Sequence, residues 1–289
     1  MEVTTRCLTS LGHVSFSGET TVFLIDNALS FDRSLAACAP GLELEIHRPV
    51  RNLGFAGGCA WGISLAMKHG AELILLLNND VTVDPAFLEH LAAVAARSPE
   101  AGLLSPRIVS MSDPARPWYL GGRFSLWSGI PVQVRQERRA EGADEPREVD
   151  YATGCAMLVK PAVVHSIGSF DPRFFAYCED LDFSLRARAA GFKVLVVPRA
   201  LVQHDVNGDT ARVSLRIYYS TRNLLEVIRR HGAWYHWVTF MANFLVRWLG
   251  FFTLLACVRG RPQFVRALAS GALDFMRGRL GERRAAAKR

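Results

Sequence analysis

An α/β fold is predicted by three features of the sequence. The first is Leu73-Ile-Leu-Leu-Leu77, an unbroken apolar run that stops at Asn78-Asn79-Asp80. A run this short, rich in Leu and Ile, reads as a strand buried on both faces. The second is Asp84-Pro85, an N-cap and first helical residue for a helix over 86–96. The third is the alternation of strand and helix patterns through residue 105, which predicts a largely parallel sheet. At 289 residues and 50% hydrophobic, the chain can build one substantial core plus an appendage.

In chain order, residues 4–11 read as a helix with Cys7, Leu8 and Leu11 on one face. Residues 20–25 form a strand ending at Asp26-Asn27, and 42–46 a short alternating strand. Asn52-Leu-Gly-Phe-Ala-Gly-Gly58 is a glycine-rich loop, continued by a helix over 60–69. Residues 102–106 suggest a short strand and turn. Residues 110–150, with their Pro, Gly and Trp and a charged run over 136–147, read as a long hairpin or loop reaching over a site. A small-residue strand follows over 153–159, then a turn at 167–172, a helix over 179–190 and a strand over 193–197 ended by Pro198. His204 begins a polar loop, and residues 215–230 are helical.

Residues 234–258 are the most apolar stretch and long enough to span a bilayer. His236, Thr239, Asn243, Arg247 and Gly250 recur at steps of three and four, a narrow polar stripe on a helix. A central Arg is costly against lipid, so the expectation is a helix lying in the membrane interface. A second amphipathic helix (Phe264, Leu268, Ala272, Met276, Leu280) and a basic tail would rest on lipid headgroups. The alternative is a helix packed on the protein's own core.

Composition narrows the function. The net charge is +7, and from Arg259 onward nine basic residues face two acidic ones, which accounts for all of it. A neutral body argues against nucleic acid as partner, and a basic tail argues for an anionic surface. Six scattered cysteines with no C-x-x-C imply free thiols in a reducing compartment.

Three acidic spots share one geometry: Asp26 and Asp80 end strands, and Glu179-Asp180 opens a helix. On a parallel sheet the two strand-end aspartates would face one crevice, where oxygen ligands can hold a divalent cation. Backbone N–H groups of the glycine-rich loop would meet a bound phosphate. Gly54, Gly57 and Gly58 fit neither a dinucleotide fingerprint nor a P-loop. Each spot has a plain structural reading too: an Asx-closed turn at Asn78–Asp80, and acidic residues favoured by the helix N-terminus at Glu179-Asp180.

Seven segments occur in the order and spacing of family 2 glycosyltransferases, and the sequence resembles their bacterial rhamnosyltransferase-like branch over residues 4–225. They are Asp26-Asn27; Asn52 to Gly58; Asn78-Asn-Asp-Val81; Gly154-Cys-Ala-Met-Leu158; Phe170-Asp171 with Phe174-Phe175; Glu179-Asp-Leu-Asp-Phe183 with Arg186; and Arg222-Asn223.

The resemblance implies a GT-A fold, a nucleoside-diphosphate sugar donor, inversion at the anomeric carbon and a divalent metal, Mg²⁺ or Mn²⁺. Carried over by position, Asp26, Asn52, Gly54, Gly57, Asn78, Asn79 and Arg222 would bind the donor. Asp80 would be the metal carboxylate of a D-x-D-like motif whose first carboxylate is missing, and His204 would join the metal, tilting the choice toward Mn²⁺. Asp180, with Glu179 second, would be the base that deprotonates the acceptor hydroxyl. At a helix start the dipole favours its anion, so it is expected to be a weak base acting through position. Arg222 would otherwise pair with a carboxylate. Asp182 and Arg186 are expected to cap and pair at i, i+4. Trp118, Tyr119 and Trp127 would stack on an acceptor sugar or pack in the core.

Family members begin with an apolar strand before the helix that Cys7 to Leu11 resembles, and only a few residues precede it here. The expectation is a catalytic unit over 1–230 that is N-terminally truncated or defective, poorly stable or inactive as written. Ser30 and Asp32 also sit one place late against the usual pattern. Residues 231–289 would be membrane-associated helices. The reading is an inverting, metal-dependent glycosyltransferase at the cytoplasmic face of the membrane, passing a rhamnose-like deoxysugar to a lipid-linked glycan or polysaccharide acceptor. Its rivals are a degenerate membrane-binding subunit and a sugar nucleotidyltransferase.

Overall fold

The computed structural model describes residues 2–28, 41–134, 144–205 and 210–283. Ser30, Asp32, most of the charged run and the last basic residues (Arg284, Lys288, Arg289) lie outside them.

A first helix, α1 (Glu2–Leu11), precedes a two-stranded parallel sheet of β1 (Thr21–Ile25) and β2 (Glu43–His47). Its Leu8 is buried against Val22, Leu24, Leu42 and Leu44. Helix α2 (Gly54–Lys68) then leads to β3 (Ile74–Leu77), β4 (Val81–Val83) and α3 (Phe87–Arg97). The second sheet has seven strands. It contains β3 and β4, β5 (Ala101–Ser110), β6 (Asp113–Tyr119), β9 (Arg147–Glu148), β10 (Ala156–Val159) and β11 (Lys193–His204). Its main order is β3-β10-β5-β11-β4, with β6 added to β5 and β9 to β11. A separate hairpin is made by β7 (Gly122–Ser125) and β8 (Ile130–Gln133).

The α/β class is as expected, but the sheet is mixed rather than largely parallel. Only β5 and β11 pair parallel in it; β10 runs antiparallel between β3 and β5. The long excursion after β5 returns the chain at β10 in the opposite sense, and strand-helix alternation carries no sign of direction. The strand at residue 193 also runs through Pro198, because the register slips between Val197 and Leu201 and a bulge absorbs the proline. Asp26 and Asp80 end strands of different sheets, so the single crevice expected from one parallel sheet is not formed that way.

The core lies between the large sheet and its helices. Leu103, Leu104, Val196 and Phe183 are fully buried, the last on α5 (Glu179–Ala189). Ile74 and Leu76 are buried while Leu75 and Leu77 are only half-buried, so β3 is covered mainly on one face. After α4 (Pro161–Ile167) and α5, helix α6 (Thr210–His231) packs on the core through Val227 and Ile228.

Residues 234–258 form one continuous helix in three parts: α7 (Trp234–Asn243), a π-helical stretch Phe244–Phe252, and α8 (Thr253–Val258). It is mostly exposed, and it is long and apolar enough to cross a bilayer. Helix α9 (Pro262–Met276) turns its apolar face inward instead, burying Phe264, Ala267, Leu268 and Gly271. Gly271 sits so close to α6 that a Cβ there would meet the Tyr218 carbonyl oxygen at 2.5 Å. The amphipathic pattern expected to lie on lipid is therefore used, for α9, to cover α6.

Candidate active site

The site is built around the turn between β3 and β4. Asn78 N–H donates to the Cys155 carbonyl at 2.9 Å, which ties this turn to the segment leading into β10. The β4–β11 ladder sets His204 opposite Val81, and Asp205 N–H donates to the Asp80 carbonyl at 2.9 Å. That register brings His204 Nε2 to 3.3 Å from Asp80 Oδ1. The Trp118 ring stands edge-on to His204 at 4.8 Å between centroids, so Trp118 belongs to the site wall. Burial pushes the Asp80 carboxyl up, but His204 and Asn78 beside it outweigh that and hold it below its usual value.

Asp80 Oδ1, Asn78 Oδ1 and His204 Nδ1 are buried without a hydrogen bond among the described residues. Unsatisfied buried atoms of this kind are costly unless something else meets them. One carboxylate, one amide oxygen and one imidazole are suitable donors for a divalent cation, with imidazole favouring Mn²⁺ over Mg²⁺. Among the described residues no cluster of three or more His, Cys, Asp or Glu holds a metal by itself. A cation here would need oxygens from a ligand as well.

The second half of the site is the start of α5. Glu179 and Asp182 are buried side by side with Asp180 at its first turn. Asp180 Oδ2 accepts from Gly154 N–H at 2.9 Å and its Oδ1 from Leu181 N–H at 2.8 Å. Gly154 directly precedes Cys155, so the acid and the Asp80 turn hang from one short segment. Burial raises the Asp180 carboxyl, against the two backbone N–H groups that favour its anion. The expected lowering by the helix dipole is overridden, because desolvation of a buried carboxylate is the larger effect. Glu179 is raised well above its usual value by burial and then by the Asp180 charge, and its Oε2 has no hydrogen-bond partner among the described residues. Both carboxyls are raised, Glu179 by burial and then by the Asp180 charge, so the neighbouring acids favour carrying fewer than two negative charges between them.

Other expected site residues are placed differently. Asp26 is fully buried and pairs with Arg48 Nε at 3.1 Å. Asn52 Oδ1 closes a turn onto Gly54 N–H at 2.7 Å. Asn79 is exposed, and its amide donates to Thr4 Oγ1 at 2.8 Å, anchoring α1. Gly57 is buried inside α2, where a Cβ would press on Leu53 at 2.9 Å. Gly54 has φ +70°, and a Cβ there would collide with the Phe175 carbonyl oxygen, so its glycine is needed for the close approach of α2 to the loop before α5.

Among the described residues Arg222 pairs with no carboxylate, and its guanidinium is taken up by carbonyl groups. It is 1% exposed and donates to the carbonyls of Phe174 (2.9 Å) and Gly281 (2.6 Å) and to Asn223 Oδ1 (2.9 Å). Asp182 and Arg186 do pair at i, i+4, at 2.9 Å. Tyr119 is buried with its hydroxyl donating to the Tyr151 carbonyl at 2.6 Å, whereas Trp127 is exposed beside Tyr235 and His236. Asn27 was missed by sequence reasoning: its side chain bridges Gly54 O (2.8 Å) and Leu53 N (3.1 Å), fixing the glycine-rich turn. Its place beside Asp26 was the available signal.

Comparison with known proteins bears on the family and the fold. A relative from Mycobacterium tuberculosis, N-acetylglucosaminyl-diphospho-decaprenol L-rhamnosyltransferase, is 29% identical over 210 residues, covering 68% of this chain and 66% of its own. The chain thus spans about two thirds of the length of that relative. Among solved structures, the mannosyltransferase PcManGT from Pyrobaculum calidifontis, in complex with GDP-Man and Mn2+, superposes with a TM-score of 0.57 at 13% identity, over 95% of this chain and 83% of that one. S. aureus TarS 1-349 gives 0.57 at 15% identity, over 93% and 76%. The fold is GT-A. The model of the family described as glycosyltransferase like family 2 matches residues 6–236, and the chain belongs to that family.

Proposed function

We propose that the protein is an inverting glycosyltransferase that uses a nucleoside-diphosphate sugar. The observation that carries this reading is the joining of two chemistries through residues 154–155: a carboxylate–imidazole pair with unsatisfied buried ligand atoms, and a half-buried acid held by backbone N–H groups. In the proposed reaction Asp180 takes the proton from an acceptor hydroxyl as its oxygen forms a bond to the anomeric carbon. The bond from that carbon to the diphosphate breaks on the opposite face, and the electron pair leaves with the diphosphate. The raised Asp180 carboxyl makes it a stronger base than an exposed aspartate. The raised Glu179 carboxyl favours its neutral form, which limits the negative charge beside the leaving group. A divalent cation at Asp80 and His204 would supply positive charge to the diphosphate.

Rhamnose as the sugar, and a lipid-linked glycan as acceptor, rest on similarity to the mycobacterial relative. A site at the membrane surface is supported by the exposed apolar residues Trp234, Val238, Val246, Phe251 and Leu254. Trp127 and Tyr235, with ring centroids 5.5 Å apart and tilted by 30°, extend that face from the β7–β8 hairpin. Amphipathic aromatic rings favour the headgroup level. These features support contact with a membrane surface, and the inner face of the cell membrane belongs to the proposed reading through its nucleotide-sugar donor.

The test is incubation of the full chain with dTDP-rhamnose and a panel of UDP- and GDP-sugars, Mn²⁺ or Mg²⁺, and a polyprenyl-diphosphate-linked N-acetylglucosamine in vesicles. Release of nucleoside diphosphate with a glycosylated lipid of inverted anomeric configuration is expected. Pyrophosphate as product would support a nucleotidyltransferase instead. No turnover of any sugar nucleotide would leave a non-catalytic membrane protein as the better account.

A further inference from the structure

The loop that delivers Glu179 and Asp180 is strained. Phe175, Tyr177 and Cys178 all have positive φ, at 64°, 67° and 66°. At Phe175 the ψ of −59° and the Ala176 N–H bond to Phe174 O (2.8 Å) define a γ-turn of the positive-φ kind. That turn is rare because it is costly for a residue with a side chain. Cys178, in the left-handed helical region, is the N-cap of α5 itself. Three such residues within four positions persist only where their surroundings over-determine them.

The surroundings are supplied largely by one side chain. Asn223 Nδ2 lies within hydrogen-bond distance of the carbonyls of Phe174 (2.9 Å), Ala176 (2.8 Å) and Tyr177 (2.7 Å), so its two N–H groups are shared among three acceptors. An amide NH₂ converging on three carbonyls matches only this folded-up turn; an extended loop would separate them. Arg222 adds a bond to Phe174 O and orients the amide through Asn223 Oδ1. Arg222 is in turn gripped from outside the domain core: Gly281 O accepts from it, and Gly281 N–H donates to Arg173 O at 2.6 Å. Arg283 N–H donates to the Tyr219 hydroxyl at 2.9 Å, closing the clasp.

We propose that Asn223 is the positioning residue for the Asp180 acid. It acts through the γ-turn, with Arg222 and the Gly281 segment as its outer brace. Neither Asn223 nor Arg222 touches the reacting atoms. Their effect is to hold the start of α5 where Asp180 meets Gly154. The inference rests on the proposed role of Asp180, so its test includes a readout independent of activity.

Full-length Asn223→Ala and Gly281→Pro are compared with the parent by amide hydrogen exchange over 174–181, by calorimetric binding of UDP and dTDP with Mn²⁺, and by nucleoside diphosphate release from dTDP-rhamnose. Asn223→Ala should raise exchange in this segment by roughly tenfold or more while distant core strands stay protected. Nucleotide affinity should change by less than about threefold while turnover falls by roughly a hundredfold, as expected for a misplaced base. Gly281→Pro removes the N–H and the left-handed φ of the clasp without touching the core, and should raise exchange in the same segment by about threefold. Unchanged exchange over 174–181 in a folded Asn223→Ala would overturn the proposal. So would turnover lost only in proportion to nucleotide affinity. If Asn223→Ala does not fold, unchanged exchange in Gly281→Pro overturns it. A parent that turns over no sugar nucleotide refutes the proposed activity, and the exchange result alone then decides the positioning role.

Discussion

His204 faces Asp80 across the β4–β11 ladder, with Nε2 3.3 Å from Oδ1, because the register pairs His204 with Val81. The contact is therefore set by backbone hydrogen bonds and not by the two side chains. Replacing either residue should leave the ladder intact and remove one donor. For Asp80→Ala and for His204→Ala, Mn²⁺ affinity in the presence of UDP or dTDP should fall by about 10- to 100-fold, the usual effect of disturbing a metal shell. Calorimetric titration with Mn²⁺ reads this directly. Equal affinity in both variants and the parent would remove these residues from the metal site.

The Glu179–Asp180 pair predicts unequal variants. Asp180→Asn should retain nucleotide binding and lose transfer by about 100- to 10,000-fold, the range for a general base. Glu179→Gln imitates the neutral form that the raised carboxyl favours and should retain transfer within about tenfold. The sign of the stability effect follows from the raised Glu179 value. A carboxyl raised on folding contributes stability below its unfolded value and loses it as pH rises through the folded one. Glu179→Gln should therefore flatten the fall of melting temperature as pH rises from the unfolded carboxyl value upward. A steeper fall would contradict the assignment.

Asp171 predicts the acid limb. Its carboxyl is pushed up by burial, but Arg173 and Arg230 outweigh this and hold it at about 2. Arg230 also reaches Asp182 at 3.4 Å and Glu226 at 2.7 Å, so the turn at Phe170-Asp171 is tied to both α5 and α6. A depressed carboxyl stabilises above its unfolded value, and that contribution is lost as pH falls through the folded one. Asp171→Asn should lower the melting temperature at neutral pH. The difference from the parent should shrink between about pH 5 and pH 2. A constant difference across that window would show that the ion pairs are not its source.

The exposed face of the 234–258 helix predicts lipid binding. Val238 and Phe251 are 63% and 67% exposed. Glutamate at both positions adds charge to the apolar face and should weaken co-sedimentation with phosphatidylglycerol vesicles by at least about tenfold. Melting temperature should hardly change, since neither side chain is packed. Sedimentation of the double variant at the parent's level would exclude this face as the membrane contact.

Much of this site is legible in the sequence where a residue's position follows from local pattern. Asp80 ends an apolar run, Glu179 and Asp180 open a helix, and the Asp182–Arg186 pair follows from i, i+4 spacing. The meeting of His204 with Asp80 needed a register between strands about 120 residues apart, which resemblance suggested but no local pattern encodes. Arg222 shows the limit most clearly. A basic residue near acidic motifs suggests a phosphate contact, whereas its guanidinium turns inward to carbonyls. Side-chain direction on a helix depends on which neighbour covers it, and α9 with the segment after it is that neighbour. Asp26 was similarly hidden, because its partner Arg48 comes from the adjoining strand end. The antiparallel course of β10 left no periodic trace at all.

The separation of the two sheets has a mechanical meaning. Among the described residues no ladder joins β1 to β3, and the halves bearing Asp26 and Asp80 meet through α1 and α2. The Cys7 thiol donating to Asn78 O at 3.6 Å, and Leu8 seated on β1 and β2, are contacts of this kind. A ladder fixes spacing in steps of a whole residue, whereas helix packing permits small sliding. A nucleotide gripping both halves would set the distance between them, so that filling the site and stiffening the scaffold become a single equilibrium.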